Sequence, residues 1–391
     1  MSTLPASNRI SSVDLLKGLV MVIMALDHTR DYFHAPAFLY EPTDPNLSSL
    51  PIFFTRWITH FCAPTFSFLA GVSAFFAGRR KTTKELSAFL FTRGLWLVFI
   101  EFVVVNFAWF FDTQFRTEGL LVIWALGISM IVLAALIHLP KKMILIFSCI
   151  LIVGHNLLDS IHMQGNVWWA ILHQFEIFPL SEERNLFVVY PLIPWIAVMS
   201  LGYCFGSLYD SSFDGRRRRT LLNRLGIASI VLFLILRGFN IYGNPAPWIQ
   251  YDTVSQSLMS FLNPAKYPPS LQYLLMTLGP SFIFLANTEN WKGRLSRFFS
   301  TFGRVPFFYY ILHIYLIHII ALFAAELSGW GWKTMILSNW VTETPTLKGY
   351  GFNLWIVYLV WGFVVVALFP LCKKFETYKM NHKEKKWLSY L

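Results

Sequence analysis

Residues 12–33 read SVDLLKGLVMVIMALDHTRDYF, a mostly apolar run that nevertheless contains charged residues. An α-helix needs about 20 predominantly apolar residues to cross a hydrocarbon core of about 30 Å. Comparable runs recur along the 391-residue chain, in which 55% of the residues are hydrophobic and only 14% are charged, whereas a soluble domain carries about a quarter charged residues. The sequence therefore predicts an all-α, polytopic transmembrane helical bundle that forms a single membrane domain over residues 1–391.

Ten apolar runs mark the predicted spans. They cover residues 12–33, 54–78, 86–111, 120–139, 142–159, 187–208, 220–240, 270–288, 305–327 and 352–372. The first run is not typical of a secretory signal, because Asp14, Lys17 and Asp27 interrupt it and no small-residue cleavage site follows. We expect this run to remain as the first helix.

The basic residues fall into alternate loops between these runs. Of the 32 Lys and Arg residues behind the net charge of +11, 22 lie on one side and five on the other. Loops rich in Lys and Arg stay in the cytoplasm, so both termini are predicted to be cytoplasmic, and the charge is not a sign of nucleic-acid binding. The richer side includes Arg9, Arg79, Arg80, Lys81, Arg216, Arg217 and Arg304.

The long loops lie on the opposite, extracytoplasmic side, at residues 34–53, 160–186, 241–269 and 328–351. They are rich in proline, which halts helices, and in tryptophan, which is enriched at membrane interfaces. We expect them to fold back over the outer surface as a lid. Such a lid would either meet a substrate or serve structure alone.

Ionisable residues are concentrated in the first span. Four of them share one helix face: Asp14, Lys17, His28 and Asp31. Lys17 and His28 are about 16 Å apart along the helix axis. A charge inside a span costs several kcal/mol by most scales, so such residues are functional candidates. This face predicts a cationic site toward the cytoplasm and a histidine with carboxylates toward the outside, with Lys17 and His28 in one shared passage lined by protein.

Histidines near the outer end are the candidate catalytic residues: His28 in the first span, His34 just after it, and His60 in the second span. Asp27 and Asp31 are the nearby carboxylates, and a carboxylate can orient an imidazole and support its charged form. Such a histidine removes a proton from a hydroxyl or an amine near neutral pH. The alternative is that His28 and Asp31 form only an interfacial pair at the end of the helix.

Neither a metal nor a haem is expected. The four cysteines are scattered one to an apolar stretch and form no CxxC pair. His313 and His318 in the ninth span are about 140° out of phase on a helix, so one haem held by both is disfavoured.

Several short segments resemble a known family. They are SVDLLKGLV at residues 12–20, DH at 27–28, TRWITH at 55–60, FSFLAG at 66–71 and GRVP at 303–306. These segments resemble bacterial membrane proteins grouped with the catalytic domain of heparan-alpha-glucosaminide N-acetyltransferase, and the likeness extends over most of the chain. They are also similar to transmembrane acyltransferases that decorate surface glycans. In those proteins a basic residue, ten others and a histidine mark the first helix, and Lys17 and His28 stand at that spacing here.

The resemblance implies an acyltransferase in a bacterial cytoplasmic membrane. An acyl group, most simply acetyl, would pass from cytoplasmic acyl-CoA to a sugar or glycan acceptor outside. It implies a working histidine either in the loop after the first helix, nearest His34, or at His28, and the choice stays open. The phosphates of the donor would lie among cations: Lys17, Arg79, Arg80, Lys81, Arg216, Arg217 and Arg304.

Other functions fit the same composition. A small-molecule or lipid-linked sugar transporter or flippase, without covalent chemistry, would use buried charges and broken helices equally well. A sensor or scaffold and a haem-binding redox subunit are further alternatives. The sequence leaves open the acceptor, the acyl chain and whether the chain forms a homo-oligomer.

Overall fold

A computed structural model describes residues 10–389, so Arg9 lies outside the described residues. The helices are α1 Ser11–Phe33, α2 Leu50–Trp57, α3 Cys62–Gly78, α4 Thr83–Ile100, α5 Asn106–Phe110, α6 Val122–Leu136, α7 Lys141–Gly154, α8 Val167–His173, α9 Leu192–Phe205, α10 Gly215–Gly238, α11 Val254–Phe261, α12 Leu271–Asn287, α13 Arg294–Arg304, α14 Pro306–Leu327 and α15 Leu354–Asn381. The strands are β1 Thr117–Leu120, β2 Glu176–Pro179 and β3 Asn185–Val188.

Each of the ten predicted spans contains a helix, which confirms the all-α polytopic bundle. Seven helical segments between residues 10 and 389 are long and apolar enough to cross a membrane. The other three spans correspond to α1, which has 23 residues with several charges, and to the shorter apolar helices α6 and α12. The side of the membrane that each terminus faces stays a prediction.

Helix α1 lies inside the bundle, where it packs against α3, α12, α13, α14 and α15. Its contact with α13 is a close approach of two backbones. A Cβ atom on Gly18 would overlap the carbonyl of Phe299, and one on Gly303 would overlap the carbonyl of Asp14. Small residues permit this type of packing between membrane helices. Because other helices surround α1, its charged side chains face protein rather than lipid.

The peripheral helices have the opposite character. In the most apolar 18-residue stretch of the segment that contains α7, only 17% is buried inside the protein. The corresponding share is 22% for both α10 and α15. Their apolar side chains are exposed on the outside of the bundle, as in helices that face lipid.

The long loops cover one end of the bundle, which we call the loop face. The sequence did not predict a small sheet that is also present, in which β3 pairs parallel with β1, from the connection between α5 and α6, and antiparallel with β2. The opposite end carries the Arg- and Lys-rich connections and is called the cationic face.

Two charged residues in other spans stabilise local structure. Glu101 begins a π-helical turn and accepts a hydrogen bond from the backbone N–H of Trp124 at 2.7 Å, which caps the first turn of α6. The guanidinium of Arg237 donates to the carbonyls of Ser260 at 2.7 Å and Phe261 at 3.0 Å, which lie at the end of α11. Both side chains therefore satisfy backbone groups.

Candidate functional site

A cavity of about 200 Å³ lies at the end of α1 that faces the long loops. We call it the loop-face cavity. The helices contribute Asp27, His28, Asp31, Arg56, Trp109 and Tyr310 to its lining. The loops contribute Glu41, Phe187, Lys266, Tyr267, Trp340 and Glu343. The long loops therefore form part of its wall.

His28 forms its ring hydrogen bond with a second histidine. The Nδ1 atom of His28 lies 2.7 Å from the Nε2 atom of His313 on α14, and the two rings are nearly parallel. The Nδ1 atom of His313 lies 2.9 Å from the carbonyl oxygen of Tyr309, one turn earlier in the same helix. The ring of His28 also packs edge-on against Trp109 at a centroid distance of 4.7 Å. These contacts hold the imidazole of His28 in one orientation at the cavity wall.

The two carboxylates beside His28 form ion pairs with cations. Asp27 accepts from Arg56 at 2.6 Å and from Arg30 at 3.3 Å, and the ammonium of Lys266 lies 3.9 Å away. Asp31 accepts from Arg30 at 2.5 Å. The sequence predicted that a carboxylate would orient the histidine, but here the orienting partner is another imidazole. Three cations and two carboxylates thus give this part of the cavity a net positive charge.

The rim of the cavity carries two further acids, Glu41 and Glu343. Burial and the nearby Glu41 carboxylate raise the pKa of Glu343. The cavity therefore offers both hydrogen-bond donors and acceptors to a polar ligand, together with the aromatic rings of Trp109, Trp340 and Tyr310.

Among the predicted catalytic residues, Asp27, His28 and Asp31 line the loop-face cavity, and His34 and His60 do not. The ring of His60 is buried and packs edge-on against Tyr273 at 5.5 Å. His34 follows α1, and the backbone groups of its neighbours Phe33 and Ala35 form hydrogen bonds with Phe352. Burial and the nearby Arg30 lower the pKa of His34 to about 4. Of these three histidines, His28 is the one that lines the loop-face cavity.

Lys17 faces a second cavity of about 100 Å³, deeper in the bundle. Its ammonium donates to the hydroxyl of Ser73 at 2.9 Å, and Arg93 lies in the same, otherwise apolar lining. We call this the mid-bundle cavity. It and the loop-face cavity are both bordered by α1, α6 and α14, but they share no lining residue. The sequence predicted one shared passage for Lys17 and His28; two successive cavities along α1 are present instead.

The remaining predicted cations lie at the cationic face. Arg304 pairs with Asp14 at 3.3 Å and with Glu376 at 2.5 Å, which ties α13 to α1 and α15. Arg79 pairs with Asp210 at 3.1 Å and borders a third cavity of about 190 Å³, together with Lys81. Arg80, Arg216 and Arg217 are exposed as well. Their role in holding a nucleotide stays a prediction.

Sequence reasoning missed the partners that complete the site. The sequence indicated His313 only as part of a disfavoured haem pair and indicated no role for Lys266. The sequence did indicate that His28 has a polar partner, because a histidine within an apolar span needs one. The identity of that partner depends on a contact between residues 285 positions apart.

Between residues 10 and 389, no group of three or more His, Cys, Asp or Glu side chains is arranged to hold a metal ion. No curated protein matches the chain significantly. Residues 9–242, more than half of the chain, match the model of the family described as heparan-alpha-glucosaminide N-acetyltransferase, catalytic, and the chain therefore belongs to this family of acetyltransferases.

Proposed function

We propose that the protein transfers an acyl group, most simply acetyl, from cytoplasmic acyl-CoA to a sugar or glycan acceptor at the loop face. The observation that carries the proposal is the position of His28: a hydrogen-bonded imidazole in the wall of a polar and aromatic cavity under the loops. Membership of the acetyltransferase family supports the class of reaction.

In the proposed reaction, His28 acts as the general base. It takes the proton from a hydroxyl or amino group of the acceptor while the oxygen or nitrogen of that group bonds to the acyl carbon. The bond from that carbon to sulfur breaks, and the departing thiolate receives the proton from His28 as CoA thiol. A histidine that briefly carries the acyl group itself is the other route open to this site.

The lining of the loop-face cavity suits a sugar as acceptor. Ion-paired cations and rim carboxylates offer directional hydrogen bonds, and aromatic rings offer flat apolar surfaces. Cavities that hold drug-sized ligands are commonly about 300–1,000 Å³. A cavity of about 200 Å³ favours a single sugar residue in the site, with the rest of a glycan outside.

The donor must approach from the other end of α1. Acyl-CoA carries phosphates and does not cross lipid, so its nucleotide would bind at the cationic face among Arg79, Arg80 and Lys81. The mid-bundle cavity, with Lys17 in an apolar lining, lies between that face and His28. The acyl end of the donor would pass through it, and the partition between the two cavities would open during the transfer.

The test is transfer of radiolabelled acetyl from acetyl-CoA to glucosamine, used as the probe acceptor, by the purified protein in detergent. His28→Ala is expected to lower the rate by about 10²–10⁴-fold, the usual contribution of a general base. His138→Ala is the matched control, because His138 is exposed and lines neither cavity. Equal transfer by wild type and His28→Ala would exclude His28 as the base. Movement of the sugar across liposomes without a new covalent product would favour the transporter.

A further inference from the structure

We infer that His313 is a positioning residue that fixes the tautomer of His28, keeping the proton on Nδ1 and the Nε2 atom free to act as the base. The inference rests on the proposed function. It concerns a residue beyond the family match, which ends at residue 242.

The proton positions follow from a chain of hydrogen bonds that begins at a backbone carbonyl. A carbonyl oxygen only accepts, so the oxygen of Tyr309, 2.9 Å from Nδ1 of His313, requires a proton on that nitrogen. In a neutral imidazole the other nitrogen then has a lone pair. This Nε2 atom lies 2.7 Å from Nδ1 of His28, which must therefore donate the proton between them.

His28 is left with an unprotonated Nε2 atom. In the described part of the chain no hydrogen bond occupies this nitrogen, and His28 lines the loop-face cavity. When the acceptor's proton reaches Nε2, the bond from Nδ1–H to His313 persists and supports the imidazolium. When that proton passes to the departing thiolate, His28 returns to the same tautomer. The orienting partner thus remains neutral throughout.

The surroundings of His313 keep its ring in place. The residue is fully buried, and its bond to Tyr309 lies within one turn of α14. Its ring stacks on that of Tyr309 at 5.0 Å and meets the edge of Tyr310 at 5.6 Å. The nearby carboxylate of Asp27 is held by Arg56, so it does not take the place of His313.

His318 provides a matched comparison on the same helix. It is also fully buried, but its ring nitrogens lie 2.8 Å from the carbonyl oxygen of Ala108 and 2.7 Å from that of Met335. A neutral ring donates to one of these carbonyls at a time, so His318 contacts α5 and the loop after α14, and it has no bond to His28. Loss of His318 should weaken the fold without a direct effect on the tautomer of His28.

The experiment compares His313→Leu, which removes the acceptor for His28, with His313→Gln, whose amide oxygen can replace it. Transfer from acetyl-CoA to glucosamine is measured against pH, and nitrogen-15 spectra of histidine-labelled protein report which ring nitrogen of His28 carries the proton. The signal of His28 is assigned by its loss in His28→Asn. His318→Gln is the control for destabilisation alone.

In the wild-type protein, we expect the ring proton of His28 to be on the Nδ1 atom. His313→Leu should lower kcat by about 10²-fold, as for loss of a correctly placed base, with KM for acetyl-CoA unchanged. His313→Gln should restore at least a tenth of the wild-type kcat, and His318→Gln should lower thermal stability without moving the pH profile.

A proton on Nε2 or on both nitrogens of His28 in the wild-type spectrum would overturn the inference, as would wild-type kcat in His313→Leu. If the wild-type protein does not consume acetyl-CoA, the proposed function fails. The spectra still decide the tautomer in that case, so the two failures are distinguishable.

Discussion

The Nη1 atom of Arg56 lies 2.6 Å from the Oδ2 atom of Asp27, a contact that joins α2 to α1 immediately beside the candidate base. Both side chains are only 13% exposed. Lys266 approaches the same carboxylate oxygen from the loop before α12. One aspartate on α1 therefore holds together a second helix and one wall of the loop-face cavity.

Asp27→Asn should destabilise the protein, because it leaves Arg56 and Lys266 without the charge that compensates them. Removing one partner of a buried ion pair costs about 3–5 kcal/mol. Thermal unfolding of the detergent-solubilised protein measures the loss. The double substitution Asp27→Asn with Arg56→Met should recover part of it, and equal unfolding temperatures for wild type and Asp27→Asn would show that this ion pair does not support the cavity.

Gly303→Ala should disrupt the contact between α1 and α13. The added methyl group would meet the backbone carbonyl of Asp14, which has no rotamer to escape into. Overpacking costs about 1–3 kcal/mol, which exceeds the gain of about 0.5–1 kcal/mol that Ala usually brings to a helix. Gly362→Ala is the control, because Gly362 in α15 has open space around it. Unfolding temperatures should fall for the first variant and stay constant or rise for the second.

Acid should destabilise the region around His34. The pKa of this residue is about 4 in the folded protein, against an ordinary value of 6.5, because burial and Arg30 oppose the charged form. Between pH 4 and pH 6.5, the unfolded chain therefore binds a proton at this residue that the folded protein does not bind. The contribution of His34 to stability is present above pH 6.5 and is lost as the pH falls toward 4.

His34→Gln removes this titration. The difference in unfolding temperature between wild type and His34→Gln, measured from pH 7 to pH 4, should shift in favour of the variant as the pH falls. A difference that is constant across this range would mean that His34 does not titrate with an altered pKa. Other buried histidines are common to both proteins and cancel in the comparison.

The fold could be predicted from sequence because each membrane helix is a local property. A run of about 20 apolar residues indicates a span wherever it occurs, and all ten predicted spans contain a helix. The grouping of Asp27, His28 and Asp31 is equally local, since all three belong to α1. The three-stranded sheet was not predicted because its strands have only four residues each and because β1 pairs with β3, which is distant in the sequence.

The partners within the site could not be predicted because they depend on how distant helices pack. Lys17 donates to Ser73 on α3, and Asp14 accepts from Arg304 on α13. Helical periodicity predicted the face of α1 on which these residues lie. It contained no information about which helix that face would meet.

Lys17 offers the sharpest test of the donor path. Its ammonium lies in the mid-bundle cavity between the cationic face and His28, so Lys17→Met should raise KM for acetyl-CoA by about tenfold, the effect of losing about 1.4 kcal/mol of binding. The nitrogen-15 signal of His28 should be unchanged, because Lys17 and His28 line separate cavities. Lys348→Met is the control, since Lys348 is an exposed lysine in the long loop 328–351 at the loop face. Equal KM values for the two variants would mean that the donor reaches His28 without passing the mid-bundle cavity, and an altered His28 signal would mean that the two cavities are coupled through α1.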